Sequence, residues 1–323
     1  MTTLEKAIDT FLNNLSGNTQ RAYRMDFHNK SSGFLSVMAL YGVKATSPIE
    51  ALTERHGVQW IQWMWDKKNK STIQRRLSAF KNLIRFCKFK YGLNANVDQF
   101  SEMLNAAKLQ PKSKNRRRVP MSKIERVINY ASHNVPAFKG NDDLVILRGY
   151  RDNAFILALA DTGLRVSEAC SLKRGDIMYE TNTAVITGKG NKTALIRFSQ
   201  RAVRSIGSYL EKRSKSDGKS NKALSTLPLF ARHTKNTVKK MSDQTGRAIV
   251  ESMAKAALGV DYVEGEITPH SFRHFFVMTA LRSTHGDLKK VKELARHDAI
   301  ATTELYTQIE NAELDIAYDE IFN

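Results

Sequence analysis

The stretch ITPHSFRHFF, residues 267–276, places two histidines and an arginine at the opening of one helix. Thr268 followed by Pro269 reads as an N-cap with proline in the first helical position, so a helix is predicted to begin there. His270 and Arg273 are three residues apart, on one face and about one turn from each other. An imidazole beside a guanidinium suits a phosphate. His270 and His274, four apart, would also suit half of a metal site, but zinc needs a third ligand and a general base, and no HExxH-like context supplies them.

Composition favours the phosphate. The chain has 323 residues, enough for two domains, with 51 Lys+Arg against 32 Asp+Glu and a formal net charge of +19. Such an excess implies a large polyanionic partner, with nucleic acid ahead of an anionic membrane. Residues 1–118 carry 21 basic and 8 acidic side chains, whereas the last 20 residues, from Glu304 onward, carry six acids and no Lys or Arg. One half is built to lie on a polyanion and the tail to avoid it. The two cysteines, Cys87 and Cys170, form no CxxC pair, no signal peptide opens the chain, and no apolar run is long enough to span a membrane. The expectation is a soluble, cytoplasmic protein of a reducing compartment.

The N-terminal part reads as a bundle of about four helices, residues 1–107. Leu4, Ile8, Phe11, Leu12 and Leu15 recur at helical spacing before Gly17, and an apolar run from Ala22 to Tyr41 is interrupted at Ser31-Ser32-Gly33. A third helical region follows Ser47-Pro48. The clearest stripe is Ile73, Leu77, Phe80, Ile84, Cys87 and Tyr91, closed by Gly92. Lys81, Arg85 and Lys88 lie off that stripe as a basic ridge, and with Arg75 they are candidate DNA contacts; a solvated face is the plainer reading of such a ridge. Residues 108–120, KLQPKSKNRRRVP, have two prolines and six basic residues and read as an exposed linker in which Arg116, Arg117 and Arg118 could cross a DNA backbone.

The second part, residues 121–323, reads as mostly helical with a small antiparallel sheet. Ser122 and Glu125 suggest a capping box for a helix to about Ala131. A longer helix spans about Leu144 to Asp161 and stops at Gly163. TAVITGKGNKTALIRFS, residues 183–199, is two β-rich runs around a Gly/Lys/Asn turn, hence a hairpin. A helix over about 200–213 precedes a polar loop, RSKSDGKSNKALSTLP, and helices dominate from Ser242 onward.

Singly, the polar candidates of this part have plain readings: Arg165 beside a helix end, Lys189 in a turn, His297 as a cap, Tyr306 as a core tyrosine. In order they are more specific. DTGLRVSEACSLKRGDI, ITGKGNKTALIRFS, TPHSFRHFFVMTAL and LARHDAIATTELYT resemble the four motifs of the tyrosine recombinase, or phage integrase-type, family. NTQRAYRMDF and STIQRRLSAFKNLIRFCKFKYG are similar to its helical core-binding domain, so the likeness covers nearly the whole chain. It departs at Arg296, where the family usually has glycine, at Thr307-Gln308-Ile309, and at Phe276-Val277-Met278.

The resemblance implies a core-binding domain joined to an α+β catalytic domain as a C-shaped clamp around DNA. It further implies catalytic residues Arg165, Lys189, His270, Arg273, His297 and Tyr306, with Tyr306 the nucleophile, Glu168 supporting Arg165, and no metal or other cofactor. The expected partners are double-stranded DNA with inverted-repeat sites and, on DNA, three further copies of the chain. In solution the chain is expected as a monomer or dimer, with residues about 308–323 docking on a neighbouring protomer. The chain begins directly with the helical domain, which argues against an additional arm-site module. A type IB topoisomerase-like enzyme and a catalytically silent DNA-binding protein are the alternatives.

Overall fold

The computed structural model describes residues 1–109, 119–134, 143–187, 193–218, 222–234 and 237–296. The chain divides into two compact units, Met1–Arg116 and Arg117–Asn323.

The first unit is all helical: α1 (Leu4–Asn13), α2 (Gly17–His28), α3 (Phe34–Ala39), α4 (Glu54–Met64), α5 (Lys70–Tyr91) and α6 (Val97–Ala106). Six helices stand where about four were expected. The break at Ser31-Ser32-Gly33 separates α2 from a six-residue α3, and α6 buries only Phe100 and Leu104, too short a repeat to stand out as a pattern. The core is a chain of aromatic rings: Phe27, Trp60, Phe34, Phe80 and Phe100 meet successively at centroid distances of 5.0–6.0 Å. Gly57 lets α4 approach this chain, because a Cβ there would stand 2.2 Å from the Phe80 ring. Asn69 caps α5 by accepting from the Thr72 amide at 2.9 Å, and Gly92 ends it in the left-handed conformation only glycine adopts cheaply.

The second unit comprises α7 (Met121–His133), α8 (Asp143–Thr162), α9 (Val166–Ser171), β1 (Ile177–Met178), β2 (Thr183–Thr187), β3 (Thr193–Arg197), α10 (Gln200–Gly218), β4 (Ala231–Thr234), β5 (Thr237–Lys240), α11 (Asp243–Leu258), α12 (Pro269–Ser283) and α13 (Leu288–Ala295). Helix α8 is its axis. Every residue from Ala154 to Ala160 is buried, so the helix is apolar all round and is enclosed by α7, α10 and α12 among others. Strands β1, β2 and β3 form an antiparallel sheet in that order, with Ala184 opposite Ile196 and Val185 opposite Leu195. Ala184, Ile186 and Ile196 face the core while Val185 and Leu195 face out, the alternation a one-sided sheet requires.

Three local readings need correction. Helix α7 starts at Met121 after Pro120, so Ser122 is inside the first turn rather than at the cap. Helix α10 continues to Gly218, through a segment that reads as polar loop, because Arg213 and Asp217 turn inward and pair at 2.9 Å in full burial. Strands β4 and β5 form a second antiparallel hairpin that no alternation announces. The architecture is mainly α with small antiparallel sheets, as expected.

Candidate active site

The site is built where the end of α8 meets the starts of α9 and α12 and the end of α13. Gly163 closes α8 at φ +59°, and a Cβ there would meet the Phe276 ring of α12 at 2.6 Å. Both the turn and the close approach therefore demand glycine. Two residues on, Arg165 enters α9. Its backbone amide donates to Glu168 Oε2 at 2.8 Å and its Nη1 to Glu168 Oε1 at 2.8 Å. The Arg165 side chain is 46% exposed, whereas that of Glu168 is only 7% exposed.

Helix α12 begins at Pro269 behind the Thr268 cap, and the Thr268 amide donates to Ser271 Oγ at 3.0 Å. His270 is exposed in the first turn, while Arg273 one turn later is buried. The Arg273 guanidinium reaches back across the junction. Its Nη1 donates to the Gly163 carbonyl at 2.6 Å and its Nη2 to the carbonyl of Ala295, the last residue of α13.

Arg296 follows at once, in the left-handed conformation with φ 56° and ψ 49°. This accounts for the glycine usual at that position in the family, since a side chain there costs roughly 1 kcal/mol of backbone strain. Its own side chain turns inward. Nη1 donates to the Thr162 carbonyl at 3.3 Å, Nη2 to the Gly163 carbonyl at 3.4 Å, and Nη2 stands 3.5 Å from Glu168 Oε2. Burial pulls this guanidinium below its ordinary pKa, with Glu168 opposing the shift and Arg165 adding to it. Arg296 also borders a cavity of about 730 Å3 whose other walls include Thr162, Leu195, Phe276 and Leu294.

Three guanidiniums thus gather on one carboxylate and three backbone carbonyls, those of Thr162, Gly163 and Ala295, with His270 exposed one turn before Arg273. Lys189, which falls between β2 and β3 in the sequence, lies outside the described residues, as do His297, Tyr306 and Arg116, Arg117 and Arg118. Among the described residues no three His, Cys, Asp or Glu side chains group as a metal site. Cys170 in α9 is a buried thiol pushed up to about 12 and unsuited to nucleophilic work. On α5, Arg85 and Lys88 are exposed and Lys81 is half-buried. Arg75 is differently employed: its Nε and Nη2 hold the buried Asp26 at 2.9 and 2.7 Å. What sequence reasoning missed is the inward course of Arg296; its place in an unusual motif position was the only signal.

By family the chain is a tyrosine recombinase, a class of enzyme that cleaves and rejoins DNA strands. The chain belongs to the phage integrase family, whose model matches residues 146–313. It is 28% identical over 330 residues to tyrosine recombinase XerC of Thermodesulfovibrio yellowstonii, covering 99% of this chain and 97% of that protein. It is 31% identical over 250 residues to tyrosine recombinase XerD of Rhizobium meliloti, covering 74% and 70%. Among solved structures, XerH site-specific recombinase bound to a palindromic difH substrate matches with TM-score 0.67 at 16% identity, over 98% of this chain and 95% of that one. The Tn1549 transposon integrase in complex with transposon right end DNA matches with TM-score 0.65 at 15% identity, over 97% and 99%. At these identities the two structures speak to the fold. The family resemblance read from the ordered motifs holds.

Proposed function

We propose that the family's reaction runs on this chain through Arg165, Lys189, His270, Arg273, His297 and Tyr306, on double-stranded DNA carrying inverted-repeat sites. The observation that carries this reading is the convergence of Arg165 and Arg273 on the Gly163–Glu168 junction, with His270 exposed one turn before Arg273. A guanidinium has five N–H donors, so Arg273, anchored to carbonyls, can still address the non-bridging oxygens of a phosphodiester, and the half-exposed Arg165 can turn to them.

The Tyr306 phenol oxygen attacks phosphorus and the bond to the 5′ oxygen breaks, leaving a 3′-phosphotyrosyl ester. A phenol with pKa near ~10 is a weak nucleophile at neutral pH, so its proton passes to His270. Lys189 supplies the proton that the departing 5′ oxygen needs. Arg165, Arg273 and His297 stabilise charge on the non-bridging oxygens, and Glu168 supports Arg165 until it turns to the phosphate. A second 5′-hydroxyl reverses the steps and rejoins the strands through a Holliday junction, so neither metal nor ATP enters the scheme. Residues 1–107 and 121–323, joined by the basic segment 108–120, close on the duplex. Four copies act on two duplexes, with residues about 308–323 docking on a neighbour. The names of the relatives and the DNA held by the neighbouring structures support this reading. No helix among the described residues is long and apolar enough to cross a membrane, and cytoplasmic action on DNA belongs to the same proposal.

The test is covalent capture. The protein is mixed in EDTA with fragmented DNA from around its own gene, denatured, and the attached DNA sequenced, with Tyr306→Phe as control. Adducts at one inverted-repeat site, lost in the control, are the expected result. Adducts scattered without preference would favour a topoisomerase. Adducts that persist in Tyr306→Phe would assign the nucleophile elsewhere, and tight binding without adducts would favour a silent binding protein.

A further inference from the structure

We infer that Arg296 is a positioning residue that takes over the Glu168 carboxylate when Arg165 turns to the DNA phosphate. The inference rests on the reading of Arg165 as a phosphate-binding residue.

Arg165 directs its Nη1 to Glu168 Oε1 at 2.8 Å. Facing a phosphodiester with both terminal nitrogens means loosening that bond. Glu168 is buried, and a buried carboxylate that loses its cation is strongly disfavoured. The junction therefore needs a second cation within reach of Glu168 that does not itself go to the phosphate. Arg296 is placed for this. Its Nη2 is 3.5 Å from Glu168 Oε2, a loose ion pair with room to shorten, and its side chain is only 12% exposed. Its other contacts are equally loose, at 3.3 Å to Thr162 and 3.4 Å to Gly163, and its buried Nε has no hydrogen-bond partner among the described residues. A guanidinium placed only to brace the fold would be expected at shorter distances.

The arrangement is also shared with the second arginine. Arg273 donates to the same Gly163 carbonyl and to Ala295, the residue before Arg296. When Arg296 closes on Glu168 it moves beside both anchors of Arg273. Adding a phosphodiester to three guanidiniums and one carboxylate brings the local charges closer to balance. The partners then divide: Arg165 takes the phosphate, Arg296 the carboxylate, and Arg273 keeps its two carbonyls while also reaching the phosphate. The left-handed backbone at Arg296 is what aims its side chain at Glu168 rather than outward.

The experiment measures the rate of covalent adduct formation on the same gene-region DNA fragments, with DNA affinity and thermal melting in parallel. Arg296→Gly keeps the left-handed backbone comfortable and removes only the side chain, so it should melt no lower than wild type by more than a few degrees. Adduct formation should slow by about tenfold to a hundredfold with affinity little changed, since Arg165 would stay on Glu168. Arg296→Lys, which keeps the charge without the planar fork, should lie between. The decisive variant is Arg296→Gly combined with Glu168→Gln. A neutral amide releases Arg165 more easily and needs no replacement cation, so the double variant should form adduct faster than Arg296→Gly alone. A purely structural role predicts the opposite, two losses that accumulate. Wild-type rates in both Arg296 variants, or a double variant slower than Arg296→Gly, would overturn the inference. Arg165→Ala separates the two levels of argument. If it loses adduct while the Arg296 variants do not, this inference alone fails. If Arg165→Ala forms adduct at the wild-type rate, or the wild-type chain forms none, the phosphate reading and this inference fail together.

Discussion

Two clusters in this chain pair a buried carboxylate with several arginines, and they are finished to different degrees. In the first unit Asp26, fully buried, accepts from Arg75 at 2.9 and 2.7 Å and from Arg76 at 3.2 Å. Arg76 completes its bonding on Ser32, at 2.6 Å to the carbonyl and 3.1 Å to the hydroxyl. In the second unit Glu168 serves Arg165 at 2.8 Å and Arg296 at 3.5 Å, and Arg165 is half exposed. The Asp26 cluster has closed its hydrogen bonds and holds helices together. Both clusters set two arginines on one carboxylate, but the Glu168 cluster leaves its second arginine loose, on a backbone that includes two left-handed residues, Gly163 and Arg296. Closure belongs to architecture, and the loose Arg296 contact is the feature on which the proposed phosphate role of the site can be tested.

The largest effect should come from opening the closed cluster. Asp26→Ala strands Arg76, only 5% exposed, without its carboxylate. Breaking a buried pair in this way costs about 3–5 kcal/mol. Urea unfolding of residues 1–107 should show the loss, and a midpoint unchanged from wild type would mean that the cluster is not a structural element.

Removing Arg165 should have nearly as large an effect, but on rate rather than stability. Arg165→Ala should slow adduct formation by about a hundredfold to a thousandfold, the range for losing one preorganised donor to a transition-state oxyanion. Its half-exposed side chain should leave urea stability within about 1 kcal/mol of wild type. A variant that loses affinity and rate to the same degree would make Arg165 an anchor only.

The contrast between clusters also shows where the sequence was readable. Helix α5 stood out because Ile73, Leu77, Phe80, Ile84 and Cys87 repeat at helical spacing and Gly92 stops it. The start of α12 followed from Thr268-Pro269, and the β2–β3 hairpin from two β-rich runs around a turn. The extension of α10 was hidden because its buried residues are the polar Arg213 and Asp217, and each reads as solvated until the other is seen. Arg75 read as a DNA contact for the same reason: its partner Asp26 is 49 positions away. At the site, Arg165 and Arg273 were legible through ordered motifs. The inward turn of Arg296 depends on which carbonyls lie under a left-handed cap, and no local pattern encodes that.

A third closed network offers a pH test of moderate size. His233 accepts or donates a 2.7 Å hydrogen bond with Tyr209, and burial, aided by Arg151, Arg213 and Arg148, lowers its pKa to about 3. The unfolded chain binds a proton at this histidine near its ordinary 6.5, whereas the folded chain does so only near 3. Stability is therefore fully present above pH 6.5 and is lost as pH falls toward 3. Between pH 7 and pH 5 the loss should be about 2 kcal/mol by urea unfolding. His233→Gln should flatten that slope whatever it does to stability at pH 7, and an unchanged slope would place the acid sensitivity elsewhere.

The smallest effect distinguishes two cations on one helix. Lys88 is exposed on α5, whereas Arg75 is committed to Asp26. If the ridge of Lys81, Arg85 and Lys88 lies on DNA phosphates, Lys88→Ala should lower affinity modestly and reduce the slope of log K against log salt by about one. Its stability should stay within about 0.5 kcal/mol of wild type, as for other exposed surface changes. Arg75→Ala should behave oppositely, leaving the salt slope unchanged while weakening the Asp26 cluster. A salt slope that falls in Arg75→Ala and not in Lys88→Ala would reverse the assignment, making the buried-acid arginine the DNA contact and the ridge an ordinary solvated face.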